Sequence, residues 1–185
     1  MVSLVLGPHR STLTGVGTMS LDINTPAGQA TLEQEERAYE IYWRNHPLID
    51  IVQTDKTRAA KVDAFLVSDG IIETAVLTSC RKFTVEQLCT GFAKEALLTY
   101  EKLTTGAHIA DLLCCSLTLF IYAVNDDVLL TRTLYENGKW LTRIRQVDDL
   151  PTKATCNGGV VTRVNGMIDV SGAKILRPKP RGGKA

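Results

Sequence analysis

Zinc-type cysteine spacing is missing from this chain. Its five cysteines, Cys80, Cys89, Cys114, Cys115 and Cys156, form no C-x-x-C pair and have no histidine at ligand spacing, which excludes the zinc-ribbon and zinc-finger classes. Three of them lie in apolar runs and read as buried thiols in a reducing compartment. His9, His46 and His108 stand apart from one another and from any Ser or Cys nucleophile pattern, so no catalytic set forms around them. Gly158-Gly159 and Gly182-Gly183 lack both a G-x-G-x-x-G and a strand-to-helix context, so no phosphate loop is expected. No apolar run reaches the roughly 18 residues of a membrane span. The longest candidate, residues 109–124, is broken by Asp111, Ser116 and Thr118 and reads as a helix end followed by a core strand. The first residues, MVSLVLGPHRS, carry no cationic segment ahead of their apolar run. The expectation is a cytoplasmic protein with no membrane segment.

Charge of one sign is also lacking. Lys and Arg number 21 against 20 Asp and Glu, a net charge of +1, which excludes a polybasic nucleic-acid binder and leaves only focal contact with DNA. With 185 residues the chain supports one core of ordinary size.

The elements follow from periodicity and punctuation. Residues 1–29 mix Gly, Ser, Thr and Pro without a period and read as an extended arm that orders against a partner. Thr31-x-x-Gln34 predicts a capped helix to about Asn45, stopped by Pro47. One seam of that helix, Leu32, Glu36, Tyr39 and Trp43, carries Glu36; a neighbouring seam, Leu32, Glu35, Tyr39 and Tyr42, carries Glu35. Strands are expected at 49–53, 62–67 and 71–78. A second capping box, Thr84-x-x-Gln87, opens a helix with an apolar face of Val85, Leu88, Phe92, Ala96, Tyr100 and Leu103. A short helix over 107–113 precedes strands at 116–124 and 128–133, with Asn125-Asp126-Asp127 between them, and Asn137-Gly138 turns into a strand at 140–144. Farther on, Cys156-Asn157-Gly158-Gly159 and Asn165-Gly166 bracket an expected hairpin of 160–164 with 167–170. The organisation expected is an arm at 1–29, an α/β core at 30–150 built on a mixed central sheet flanked by helices, a C-terminal hairpin extension at 151–176 and a basic flexible tail at 177–185.

The most informative stretch is residues 61–87, KVDAFLVSDGIIETAVLTSCRKFTVEQ. An apolar strand carries Asp63, Asp69-Gly70 reverses the chain, a second apolar strand follows, and Arg81-Lys82 precedes the capped helix. With a Glu on the first helix and a closing pair of hydrophobic strands, this order resembles the PD-(D/E)xK nuclease superfamily, in particular small phage-type nucleases and Holliday-junction resolvases, over about residues 31–133. The resemblance implies a restriction-endonuclease-like core and a site in which an Asp and a Glu-x-Lys meet where two strands diverge. There the carboxylates bind Mg²⁺ and the Lys steadies the attacking water. Its Asp falls on Asp63 and its first-helix Glu on Glu36 or, less well, Glu35. Its Glu-x-Lys, fourteen residues after Asp63, falls on Leu77-Thr78-Ser79, which can neither ligate a cation nor place a charge.

Two functions follow from that resemblance. In the first, the chain is a nuclease-fold protein of weak or absent catalysis that serves as a DNA-binding or structural component, with protein partners met through the arm and the tail, as a homo-oligomer or in a virion assembly. In the second, it is a Mg²⁺-dependent DNA endonuclease with a migrated constellation. Asp63 and Glu36 would then be catalytic and Lys82 would take the Lys role. Asp63, Glu36 and Glu73 are the candidate metal ligands, although Glu73 lies about 13 Å up the strand from Leu77. DNA contact would fall to Arg58, Lys61, Arg81 and Lys82.

Overall fold

The computed structural model describes residues 25–56, 60–89, 95–153 and 160–180. Helix α1 spans Pro26–Asn45, strand β1 Asp50–Gln53, β2 Ala64–Ser68 and β3 Ile71–Arg81. Helix α2 is described over Val85–Cys89, followed by β4 at Glu95–Thr99, α3 at Tyr100–Leu112, β5 at Ser116–Ala123 and β6 at Val128–Glu136. Then come β7 at Lys139–Trp140, β8 at Ile144–Lys153, β9 at Val160–Asp169 and β10 at Lys174–Leu176.

The main sheet runs β1-β2-β3-β5-β6-β10, with β7 hairpinned onto β6. Strand β2 runs antiparallel to both β1 and β3, whereas β5 returns parallel to β3 after the connection through α2, β4 and α3. The fold is therefore a mixed α/β sheet with helices on it, as the order of elements implied. Asp69 and Gly70 both take positive φ, 49° and 78°, the paired left-handed geometry that a two-residue hairpin between twisted strands requires. The chain reverses there as expected. Asn137-Gly138 turns β6 into β7 in the same way.

Burial on both faces explains why the central strands read as continuous apolar runs. Ala75 and Leu77 of β3 and Leu117, Leu119 and Ile121 of β5 join Leu103, Ala107 and Ala110 of α3 in one cluster. Val76, Phe120 and Tyr122 point the other way and pack with Ala38, Tyr39 and Ile41 of α1. The helices α1 and α3 thus lie on opposite faces of the sheet. Asp127, at the β5–β6 turn, ties α1 down by taking Arg37 through both carboxylate oxygens, at 2.9 and 2.5 Å.

Several boundaries differ from the sequence reading. Helix α1 starts at Pro26, capped by Thr25, whose hydroxyl accepts the Gly28 N–H at 3.1 Å. Pro at the first helical position suits that start. Thr31 therefore lies inside the helix, its hydroxyl bonded back to the Ala27 carbonyl, and only residues 1–24 of the expected arm lie outside the described residues. The Thr84–Gln87 box does form, each side chain bonding the other's backbone N–H at 2.9 and 3.2 Å. Its helix does not run on to Leu103, because residues 95–99 are drawn into a second sheet, β4-β9-β8. Cross-strand pairing there overrides a helical period; Phe92 lies outside the described residues.

Asn165-Gly166 is not a turn. Both residues lie within β9, paired to β4 on one side and β8 on the other, and the β8–β9 connection, with Cys156 to Gly159, falls outside the described residues. The glycine answers a packing need instead: a Cβ at Gly166 would collide with Leu103 Cδ1 and stand 3.1 Å from Ile144 Cγ2. The boundary expected at 150/151 falls within β8, and β10 of the expected extension pairs with β6 of the main sheet. The start of the basic tail lies on α1, with the Arg177 and Lys179 carbonyls accepting from Asn45 and Arg44; residues 181–185 lie outside the described residues. Among the described cysteines, Cys80, Cys89 and Cys115 are only half-buried and Cys114 is exposed, so the expectation of buried thiols is met in part at the first three and fails at Cys114. No helix among the described residues is long and apolar enough to cross a membrane.

Gly166→Ala is expected to lower stability by about 1–3 kcal/mol through overpacking against Leu103 and Ile144. Urea denaturation of the variant measures it; an unchanged midpoint would mean that α3 does not press on β9 there.

Candidate functional site

At the end of β2 nearest α3, the strand peels away from β3, and the backbone N–H of Thr78 is left without a strand partner on that side. Asp63, the residue just before β2, closes the gap. Its own N–H bonds the Val76 carbonyl at 2.8 Å, and its carboxylate accepts the Thr78 N–H at 2.7 Å. The Asp thus sits opposite Leu77, where two antiparallel strands part, as expected from the hairpin signal.

Two lysines hold that carboxylate. Lys102 of α3 approaches both oxygens, at 3.0 and 2.7 Å, and Lys56, from the β1–β2 connection, lies 3.4 Å from Oδ1. The Lys56 ammonium also stands 2.8 Å from the buried Glu35 Oε2. The result is a chain of four alternating charges, Glu35, Lys56, Asp63 and Lys102, bridging the helices on the two faces of the sheet. Beside it Tyr39 shares a hydrogen bond of 2.9 Å with the Thr78 hydroxyl. Cys80, two residues along β3, completes the surroundings.

Burial and partners compete at each group. Asp63 is only 7% exposed, and burial alone would favour its neutral form. Lys102, Lys56 and the Thr78 N–H outweigh burial and hold its carboxyl below the usual value of 3.8. Burial likewise opposes charge on Lys56, but Asp63 and Glu35 keep it above its usual 10.5. Glu35 goes the other way: burial dominates and raises its carboxyl, offset only in part by Lys56. Burial also pushes the Cys80 thiol up to about 12, so it is not a thiolate nucleophile at neutral pH.

The sequence-predicted residues divide accordingly. Asp63 occupies the centre of the cluster. The first-helix acid that joins it is Glu35, through the seam that also buries Tyr39, and Glu36 is exposed beside a shallow groove lined by Tyr39, Trp43 and Ile51. One residue of helix is a turn of about 100°, which decides between them. Glu73 is exposed near the other end of β3, next to Tyr42. Lys82 lies beyond the end of β3 with its side chain exposed and its carbonyl held by Asn125, so the lysine that reaches Asp63 is Lys102. Arg81 donates to the Leu97 carbonyl of β4 at 2.6 Å, Lys61 pairs with Glu101 at 2.5 Å, and Arg58 lies outside the described residues. Leu77, where the nuclease resemblance would put a Glu, is 0% exposed and packed in the α3 cluster. Among the described residues, no three His, Cys, Asp or Glu side chains converge as a metal would need. Lys56 and Lys102 carried no motif signal, since each is an isolated lysine 7 and 39 residues from Asp63. No protein-family model matches the chain, and no curated protein is significantly similar to it.

Lys102→Met should destabilise the fold by about 2–3 kcal/mol, because it leaves a buried carboxylate short of a charged donor. Combined with Asp63→Asn it should cost less than the sum of the two single changes. Denaturation of all four forms measures that coupling.

Stability should also depend on pH at both ends. Asp63, with a lowered carboxyl, contributes stability that is complete above 3.8 and is lost as pH falls through its lower folded value. Lys56, with a raised ammonium, contributes stability that is complete below 10.5 and is lost as pH rises through its higher folded value. The stability gap between the parent and Asp63→Asn should therefore narrow below 3.8, and that between the parent and Lys56→Met above 10.5. A gap independent of pH in denaturant titrations would contradict these assignments.

Proposed function

We propose that this chain is a non-cleaving protein on a nuclease-like scaffold, acting as a structural or assembly component. One observation carries the reading: the carboxylate corresponding to the catalytic Asp has both oxygens engaged by the chain's own ammonium groups, while the position of the second carboxylate is Leu77, sealed in the core. The Mg²⁺ that the nuclease resemblance implies does not fit this donor set. Glu35 and Asp63 are bridged by Lys56, and Leu77 brings no oxygen. Support for the scaffold itself comes from the order helix, three antiparallel strands, crossover and parallel strand, with Asp63 at the strand divergence.

The contacts of the basic residues count against a DNA-binding surface. Lys61 is paired with Glu101 and Arg81 is committed to a backbone carbonyl, so two of the four cations proposed for DNA are already engaged. A second reading, an active Mg²⁺-dependent endonuclease with a migrated lysine, is favoured by one contact only, the 2.7 Å approach of Lys102 to Asp63.

Incubation with supercoiled and branched DNA in Mg²⁺ or Mn²⁺ separates the two. The expected outcome is intact DNA and no mobility shift at physiological salt. Cleavage that disappears in Lys102→Met, in protein shown to be folded, would establish the second reading.

A further inference from the structure

Strand β1 forms one edge of the main sheet, and among the described residues nothing pairs with its outer side. Peptide groups along a strand alternate between its two sides. The Thr54 N–H reaches the Asp63 carbonyl at 3.1 Å, so with the register of β1 on β2 the groups of Asp50 and Val52 turn inward and those of Ile51 and Gln53 turn outward. Free edges are commonly blunted by lysine, proline or a bulge. The β8 edge has all three, in Lys153, Pro151 and the register shift between Val147 and Leu150, and the Leu97 carbonyl of β4 is taken by Arg81. Strand β1, Asp50-Ile51-Val52-Gln53, has none of them and pairs with β2 without a shift.

We propose that the β1 edge docks a basic, extended segment of another protein, added to the main sheet as a further strand. The outward peptide groups of Ile51 and Gln53 supply the main-chain bonds. Charge selects the occupant. Helix α1 runs beside the edge, and the shallow groove between them is lined by Glu36, Tyr39, Trp43, Asp50, Ile51 and Gln53. Glu36 and Asp50 are exposed and take part in no ion pair among the described residues, whereas Glu40, one turn along α1, is tied to Arg37 and Arg44. Trp43 is 51% exposed and presents a ring on which a cation can rest. In an added strand every second side chain would face α1, so lysines or arginines there meet Glu36 and Trp43, while the intervening side chains cover Val52, 52% exposed on the opposite face. A second copy of this chain fits less well. Antiparallel pairing of two β1 edges about a twofold axis puts both α1 helices on one face of the joint sheet, with Glu36 facing a like charge. This inference rests on the sheet edge and not on the nuclease-like reading of the Asp63 site.

The probe is a blocked heptapeptide of alternating lysine and valine, titrated into the full chain while amide hydrogen exchange is followed residue by residue. In the free protein the Val52 and Thr54 amides should exchange slowly and those of Ile51 and Gln53 fast. At saturation with peptide the Ile51 and Gln53 amides should slow by about tenfold or more. The same peptide with glutamate in place of lysine should leave them unchanged. Gln53→Pro removes one outward donor and spares the bonds to β2, as proline at an edge position can, and should weaken binding about tenfold. Glu36→Lys, at an exposed helix position, should weaken it about fivefold and carries the test if Gln53→Pro does not fold. The proposal is overturned if the lysine peptide slows neither amide, if the glutamate peptide binds as tightly, or if the folded variants bind like the parent. It is also overturned if Ile51 and Gln53 are already protected in the free chain: protection that grows with protein concentration would assign the edge to a second copy, and protection independent of it to this chain's own residues. None of these outcomes bears on the DNA-cleavage test, so the two readings fail separately.

Discussion

Where β2 leaves β3, a backbone N–H inside the protein would have no partner, and the carboxylate of Asp63 takes it at 2.7 Å. An unsatisfied buried donor costs about 1–3 kcal/mol, so something must fill that position. Filling it with a carboxylate creates a second demand, because a buried anion is tolerated only when it is paired. Lys102 meets that demand from α3, and Lys56 meets it from the β1–β2 connection and brings in Glu35 of α1. One strand divergence thus ties the helix on each face of the sheet to the same few atoms.

Such a cluster is a poor source of net stability and a strong constraint on geometry. Desolvating four charges offsets much of their attraction, yet deleting one leaves a partner buried and uncompensated. The apolar clusters on the two faces supply the driving force, with Leu77, Leu103 and Leu117 on one side and Tyr39, Ile41 and Phe120 on the other. The ionic chain fixes how α1 and α3 sit over the ends of β2 and β3. It also determines the chemistry of the pocket, because the same ammonium groups that satisfy Asp63 occupy the places where a cation would approach it.

Local signals were legible where their physics is local. The Asp69-Gly70 and Asn137-Gly138 turns and the Thr84–Gln87 box depend on a few adjacent residues, and each formed as read. The mixed sheet followed from the order of elements, a helix, three strands, a helix and further strands. Misreadings arose where pairing is distant. Residues 95–99 fit a helical face, but β9 recruits them from some seventy positions away. Asn165-Gly166 carries a turn signature, yet Gly166 is there so that Leu103 can approach the strand.

Within the site, sequence by itself determined Asp63, its position beside the hairpin and the apolar Leu77 on the facing strand, because these follow from strand order and residue type. Glu35 was distinguishable from Glu36 only by which seam of α1 turns inward. Tertiary structure decided that, since Tyr39 and Ala38 bury the face that carries Glu35. It also decided which lysines matter. Lys56 and Lys102 are ordinary solvated residues by sequence, and only the folding of a loop and a helix onto opposite sides of one strand end brings their ammonium groups to the same carboxylate.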